Sequence, residues 1–322
     1  MNTVSIVIAC FNGWKYMGKC LESLENQVIK PDEIIIVDDY STDDTYEQLK
    51  KYKYNSKLNI KLLRNDKNSG PGYSREVGIK TSSSKYVAFC DCDDWFELNF
   101  IKDIKEKILS DRFDFCVFDN YVVSGNRKYI ANITRDLKNL SKKEMIALYS
   151  MSLWRLVIRR EILENIEYAH IYHAEDFVVA IQALNDSEKV TLIDKPYYNY
   201  FIRIDSVSTN PSRDTFYEFK VAYDILKDKI CSKYREECEF LGIKTLCYGA
   251  TLNAFKTGIS INEIKSLVNE FNENYPNWYK NKYMHTEGKI KNIYYYFIDH
   301  ELYGLAKVMA FFHGIAVKFQ SK

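Results

Sequence analysis

Five apolar runs, each rich in β-branched or aromatic residues, restrict the fold of this chain more than any other feature. They are VSIVIAC (4–10), EIIIVDD (33–39), NIKLLRN (59–65), YVAFCD (86–91) and FDFCVFDNYVV (113–123). Runs that stay apolar without alternation read as strands covered on both faces. Between them, 15–27 carries Met17, Cys20, Leu21 and Leu24 at helical spacing, continued by Val28 just after it, and 41–52 and 73–82 read as further helices, the first capped by Ser41 or Thr42. Strands alternating with helices predict an α/β fold, a mostly parallel sheet between helices. Ligands in such sheets bind beyond the carboxyl ends of the strands. Two of the runs end there in aspartates, Asp38-Asp39 and Asp91. No GxGxxG follows the first strand, which disfavours a nicotinamide or flavin site.

The second half changes character. Segments 141–150 and 175–186 are helical in pattern, and everything from about 214 onward reads as helix. A soft boundary falls near 210, around TNPSRD. Charge is balanced, with 45 basic against 44 acidic residues, which argues against a generic nucleic-acid binder. The eight cysteines form no CxxC pair, and Cys10, Cys90 and Cys116 sit inside strand runs as small core residues. A reducing, cytoplasmic setting is expected. The N-terminus has no basic region or cleavage site, and no stretch reaches about 18 apolar residues.

The stretch FCDCDDWF places Asp91, Asp93 and Asp94 at the end of the fourth strand. Three like charges this close repel unless something positive joins them. A hard cation, Mn²⁺ or Mg²⁺, takes carboxylate and phosphate oxygens together; the plainer reading is a solvated acidic turn. Strand one ends in Ala9-Cys10-Phe11-Asn12, which sets an aromatic face beside Asp38 and Asp39. An Asp there can accept a uracil N3–H, and a ring can stack on the base; helix capping is the alternative. Arg75, after the NSGPG turn, suits phosphate oxygens or a surface salt bridge.

Taken in order, VSIVIACFN, IIIVDDYSTDDT, NSGPGYSREVG and YVAFCDCDDWF resemble the family 2 glycosyltransferases, which have the nucleotide-sugar-binding GT-A fold. The chain departs from that family's pattern at Ala9, Tyr40, Ser74-Arg75-Glu76 and Cys92, where the family has Pro, Gly, Ala-Arg-Asn and Ser. The resemblance implies that Phe11 stacks near uracil, Asp39 holds its N3–H, and Arg75 approaches the base or phosphate. It implies that Asp91 holds the ribose and the metal's water shell, Asp93 ligates the metal, and Asp94 orients the site on its acceptor side. In HAEDFVVAIQAL (173–184) it places the general base on Asp176, with Glu175 beside it. A helix N-terminus favours an ionised carboxylate there, although a plain N-cap has the same pattern.

More loosely, Arg203, Ser206 and Ser208 resemble a lid over the diphosphate, and Trp154-Arg155 an acceptor segment in which Trp154 is a sugar platform or core. His170 and His173 are metal or acceptor candidates but more often neither. The resemblance implies a GT-A catalytic domain over 1–210, made of a nucleotide-binding half (1–125) and an acceptor-side half (126–210), then a helical C-terminal region (211–322). It implies a metal-dependent, inverting transfer from a UDP-sugar to a saccharide or lipid-linked saccharide. The rival readings are a haloacid-dehalogenase-like phosphatase and an inactive sugar-nucleotide binder. LAKVMAFFHGIAVKF (305–319) closes a last helix read near 293–319. Packing on the catalytic domain or on a second subunit is preferred for it, with peripheral contact on the inner membrane face as the other reading.

Overall fold

The protein is described here by a computed structural model covering residues 2–149, 152–203 and 212–320. It forms two compact units, Met1–Leu140 with Met151–Ile202, and Ser141–Ser150 with Arg203–Lys322. The stretch Ser141–Ser150 therefore belongs to the helical unit although the chain returns to the sheet after it.

In the first unit the four leading runs become β1 (Val4–Cys10), β2 (Glu33–Asp38), β3 (Ile60–Arg64) and β4 (Tyr86–Asp91). They lie parallel in the order β3-β2-β1-β4. Their connecting helices are α1 (Gly18–Glu25), α2 (Thr45–Asn55) and α3 (Gly70–Thr81). Ile6, Ile8, Ile34, Ile36 and Ala88 face Leu21, Leu24, Leu49 and Ile104 in one dry cluster, the large burial expected of strands without polar alternation. Register brings the strand ends level: Cys10 is opposite Asp38, and Ala9 opposite Asp91.

Beyond β4 the sheet is mixed rather than parallel. β5 (Trp95–Phe96), α4 (Phe100–Asp111), β6 (Phe115–Ser124), β7 (Arg127–Ala131) and α5 (Ile133–Leu137) are followed, after a helix α6 (Lys142–Leu148) of the other unit, by β8 (Leu156–Arg159) and α7 (Arg160–Leu163). Then come α8 (Glu175–Asp186) and β9 (Val190–Phe201). The order continues β4-β8-β6-β9-β5, with β8 antiparallel to both neighbours and β9 parallel to β6. The sequence pattern misses β5, β7 and β8 because they are too short to show a period, and β9 because Asp194-Lys195-Pro196 interrupts its apolar run.

The second unit adds α9 (Asp214–Ile230), α10 (Arg235–Gly242), α11 (Thr251–Thr257), α12 (Ile261–Asn274), α13 (Lys289–Asp299) and α14 (Tyr303–Gln320), with a π-helical stretch, Ile243–Ala250, between α10 and α11. Its core is aromatic: Tyr223, Phe240, Phe271, Trp278, Tyr294 and Tyr295. Capping boxes, Ser141 with Glu144 and Ser260 with Glu263, start α6 and α12.

Two helix expectations are corrected. The stretch read as one helix near 293–319 is two, broken where Glu301 takes a φ of 56°; no Gly or Pro marks the break. The helix read over 41–52 begins at Thr45, because Ser41 and Thr42 are engaged by Asn12. The Asn12 amide donates to Ser41 Oγ at 2.9 Å, and the Thr42 amide donates to Asn12 Oδ1 at 2.9 Å.

Candidate active site

The loop after β2 is held by its two aspartates. Asp38 is fully buried, with Oδ2 accepting from the Ser41 amide at 3.1 Å and lying 3.3 Å from Arg64 Nε. This corrects the expectation that Asp38 touches a donor nucleotide: the last strand position points into the fold. Asp39, 3 % exposed, accepts three protein N–H groups: Asn65 Nδ2 at 2.7 Å, the Ser69 amide at 2.9 Å and the Gly70 amide at 2.8 Å. A carboxylate offers about four acceptor positions, so most of Asp39 is used to hold the chain's own NSGPG turn. Tyr40 follows at φ 62°, a left-handed conformation that favours glycine, with its ring 5.1 Å from the Arg64 guanidinium carbon.

That turn launches α3, and two glycines let it do so. Gly70 has φ 86°, and a Cβ on Gly72 would lie 2.6 Å from the Ala169 carbonyl and 3.1 Å from Glu175 Cβ. α3 and the start of α8 therefore approach closely, and Arg75 reaches across. Its Nη1 donates to Glu175 Oε1 and Asp176 Oδ1, and its Nη2 to Asp91 Oδ1, each at 2.8 Å. Arg75 is not on the surface; it is a buried clamp on three carboxylates. Burial works against its charge, but Asp176, Asp91 and Glu175 outweigh that and hold its pKa above the ordinary guanidinium value.

One cation cannot neutralise three acids. Burial raises the Glu175 pKa to about 7, with the Asp176 charge adding to it and Arg75 opposing. Burial likewise raises Asp176; Arg75 pulls it down, Asp91 pushes it up, and a 3.2 Å bond from the Leu153 amide to its Oδ2 lowers it slightly. Both acids open α8 behind Ala174, which has φ 68°. Asp176 remains partly exposed, with 21 % of its side chain open to solvent.

At the end of β4, Asp91 and Asp93 are partly exposed and Asp94 is buried. Asp94 Oδ1 accepts the Phe201 amide at 2.7 Å, tying the end of β9 to this turn. Its pKa is driven well above the carboxylate range by burial and by the Asp91 and Asp93 charges. The expected acceptor contact at Asp94 is thus corrected to an anchoring role. Trp154 is also core: it is buried, parallel to Tyr198 at 4.7 Å and Tyr200 at 5.4 Å. Tyr198, which the sequence did not single out, receives the Asp91 amide on its hydroxyl at 2.9 Å; strand alternation in YYNYF was the available signal. Asn65, the partner of Asp39, carried no signal beyond ending a strand.

Ala9 is partly buried at the end of β1, and Phe11 just after it is 45 % exposed, an open aromatic face. Glu76 pairs with Lys80 and His170, each at 2.6 Å, which accounts for His170. His173 and Arg203 are partly buried, and Ser206 and Ser208 lie outside the described residues. Among the described residues no group of three or more His, Cys, Asp or Glu can hold a metal alone. Asp91 and Asp93 nonetheless fit a Mg²⁺ or Mn²⁺ ion, which is commonly bound through one or two carboxylates with phosphate oxygens and water completing its shell. Burial raises Asp94 most, and the Asp91 and Asp93 charges that add to it are what such an ion would offset.

A family model described as Glycosyl transferase family 2 matches residues 5–172. The chain is 26 % identical over 220 residues to the glycosyltransferase GlyA of Streptococcus pneumoniae, covering 64 % of this chain and 31 % of that protein. It is 27 % identical over 245 residues to a processive diacylglycerol beta-glycosyltransferase of Mycoplasma genitalium, covering 69 % of this chain and 70 % of the relative. This chain therefore spans less than a third of the first relative's length and about two thirds of the second's. The crystal structure of S. aureus TarS 1–349 in complex with UDP-GlcNAc superposes with a TM-score of 0.74 at 20 % identity, covering 96 % of this chain and 90 % of that one. That likeness confirms the GT-A fold.

Proposed function

The chain belongs to glycosyl transferase family 2, and on that premise we propose that it moves a sugar from a UDP-sugar to a saccharide hydroxyl with inversion at the anomeric carbon. One observation carries the reading. Arg75, Asp91, Glu175 and Asp176, separated by up to 101 residues, meet through three 2.8 Å bonds beyond the carboxyl end of a parallel sheet. The UDP-GlcNAc bound by the S. aureus relative supports UDP-sugars as the donor class.

In this proposal Asp176 takes the acceptor's proton at Oδ2, whose bond from the Leu153 amide is long at 3.2 Å. Arg75 and the N-terminus of α8 keep Asp176 ionised against its burial. The deprotonated oxygen attacks the anomeric carbon opposite the departing UDP, so one displacement turns an α-linked donor into a β-linked product. The Phe11 ring stacks on the uracil, beside Ala9, and the acceptor position left on Asp39 receives its N3–H. Asp93 and Asp91 would hold a divalent ion, which when bound would supply charge neutralisation at the diphosphate. Within the first unit, residues 1–125 form the donor half and 126–140 with 152–202 the acceptor half, acting on a polysaccharide or lipid-linked acceptor in the cytoplasm.

The test is a panel of UDP-sugars assayed for Mn²⁺-dependent UDP release and transfer. Asp93→Ala is expected to weaken UDP binding, and Asp176→Asn to keep binding and lose transfer. Equal transfer by wild type and Asp176→Asn would refute the base assignment. Phosphate release from simple phosphoesters, with no UDP-sugar turnover, would favour the phosphatase reading instead.

A further inference from the structure

Exposed apolar side chains concentrate on α14. This helix buries Tyr303, Ala306 and Ala310 and leaves Leu305 (50 %), Val308 (53 %), Phe311 (65 %) and Phe312 (62 %) open to solvent. At 3.6 residues per turn those four lie within an arc of about 120°. The Phe311 and Phe312 rings are 5.7 Å apart, so the face is continuous there. Exposed Ile290, Ile293 and Tyr296 form a second row on α13, which contacts α14. Single exposed apolar residues need no explanation, but a contiguous set marks an interaction surface.

Charge decides what covers it. From Tyr303 to Lys322 the sequence carries Lys307, Lys318 and Lys322 and no Asp or Glu. Lys307 is exposed and flanks the apolar arc. The acids nearby are engaged: Glu287 with Lys291 at 2.8 Å, Glu301 with Lys265 at 2.6 Å, and Asp299 3.3 Å from His300 Nδ1. A second copy on a two-fold axis would bring this same face against itself, where α14 offers no carboxylate and the nearby acids already have basic partners. An anionic bilayer surface offers both an apolar boundary and negative headgroups. Among the described residues no helix is long and apolar enough to cross a membrane, so the contact is one of lying on the surface.

We propose that α14 docks on an anionic lipid surface, with Leu305, Val308, Phe311 and Phe312 at the acyl boundary and Lys307 among the headgroups. The surface acts independently of sugar transfer, so each can fail alone. The test is co-sedimentation of the full chain with phosphatidylcholine vesicles, with and without phosphatidylglycerol, alongside sedimentation velocity in their absence. Wild type is expected to pellet with anionic vesicles and far less with neutral ones, and to lose binding as salt rises. Phe311→Glu/Phe312→Glu is expected to abolish pelleting, and Lys307→Glu to weaken it roughly tenfold. Both replace exposed side chains, and circular dichroism and thermal melting should match wild type. Absence of pelleting by wild type, pelleting unchanged in the double variant, or equal pelleting with neutral vesicles would each overturn the proposal. A wild-type dimer that the double variant dissociates, without lipid binding, would give the face to a second copy and overturn it too.

Discussion

The ends of β2 and β4 look alike in sequence and are opposite in chemistry. Each closes an apolar strand with adjacent aspartates. At β2 the neighbouring chain meets the charges: Asp38 faces the Ser41 amide and Arg64, and Asp39 takes the Asn65, Ser69 and Gly70 donors. At β4 Asp91 shares its one cation with Glu175 and Asp176, and Asp94 is buried against the charges of Asp91 and Asp93. A carboxylate supplied with N–H groups fixes a loop. Carboxylates short of positive charge stay reactive toward protons and cations, and Glu175, raised to about 7 by burial first and by the Asp176 charge second, is one of them.

The sharpest way to press this contrast is at the charge-poor end. Asp176→Asn should lower transfer by about 10²–10⁴-fold while UDP affinity by calorimetry is unchanged; a parallel fall in both would make Asp176 a binding residue. Arg75→Met should cost about 3–5 kcal/mol in chemical denaturation, since it leaves three buried or half-buried carboxylates without their cation. A near-neutral result would mean that these acids are protonated and the clamp is weak. At β2, Asp39→Ala should lower stability by about 3 kcal/mol, because buried amides lose their acceptor. Asp93→Ala should leave the melting temperature unchanged and weaken metal-dependent donor binding on the order of tenfold or more. If these two variants exchanged phenotypes, the distinction between the strand ends would break.

The smallest effect expected is a shift in pH dependence. Activity needs Asp176 ionised, so kcat/KM should rise with pH along an acid limb lying above the ordinary carboxylate range, because both acids of the pair are raised. Asp91→Asn removes a negative neighbour that raises Asp176, which makes ionising Asp176 easier. The limb should then move to lower pH, by roughly half a unit to one unit. A limb that stayed in place would show that Asp91 does not reach the reacting carboxylate electrostatically.

Much of the site was readable because its residue types recur at ends of strongly patterned elements. The apolar runs located β1 to β4, and Asp91, Asp93 and Asp176 were legible as acids at a strand end and a helix start. The misreadings share one cause. Position points Asp38 and Asp94 to ligands and leaves Trp154 between sugar platform and core, whereas burial gives each to the protein itself. β8 and β9 escaped because a strand paired in mid-sheet by its neighbours need not announce itself by periodicity. The helix break at Glu301 escaped because a left-handed glutamate carries no compositional mark.

By itself the sequence determined the α/β layering and the acidic residues at the strand ends, since hydrophobic period and strand length act within a few residues. Only the tertiary structure decided which carboxylates keep their charge and what they face. Glycines 70 and 72 let α3 meet α8, Arg75 then spans from Asp91 to Asp176, and the NSGPG amides turn onto Asp39 instead. Hydrogen bonds and charges act over a few ångströms, so their balance depends on contacts between segments up to a hundred residues apart, which no local pattern records.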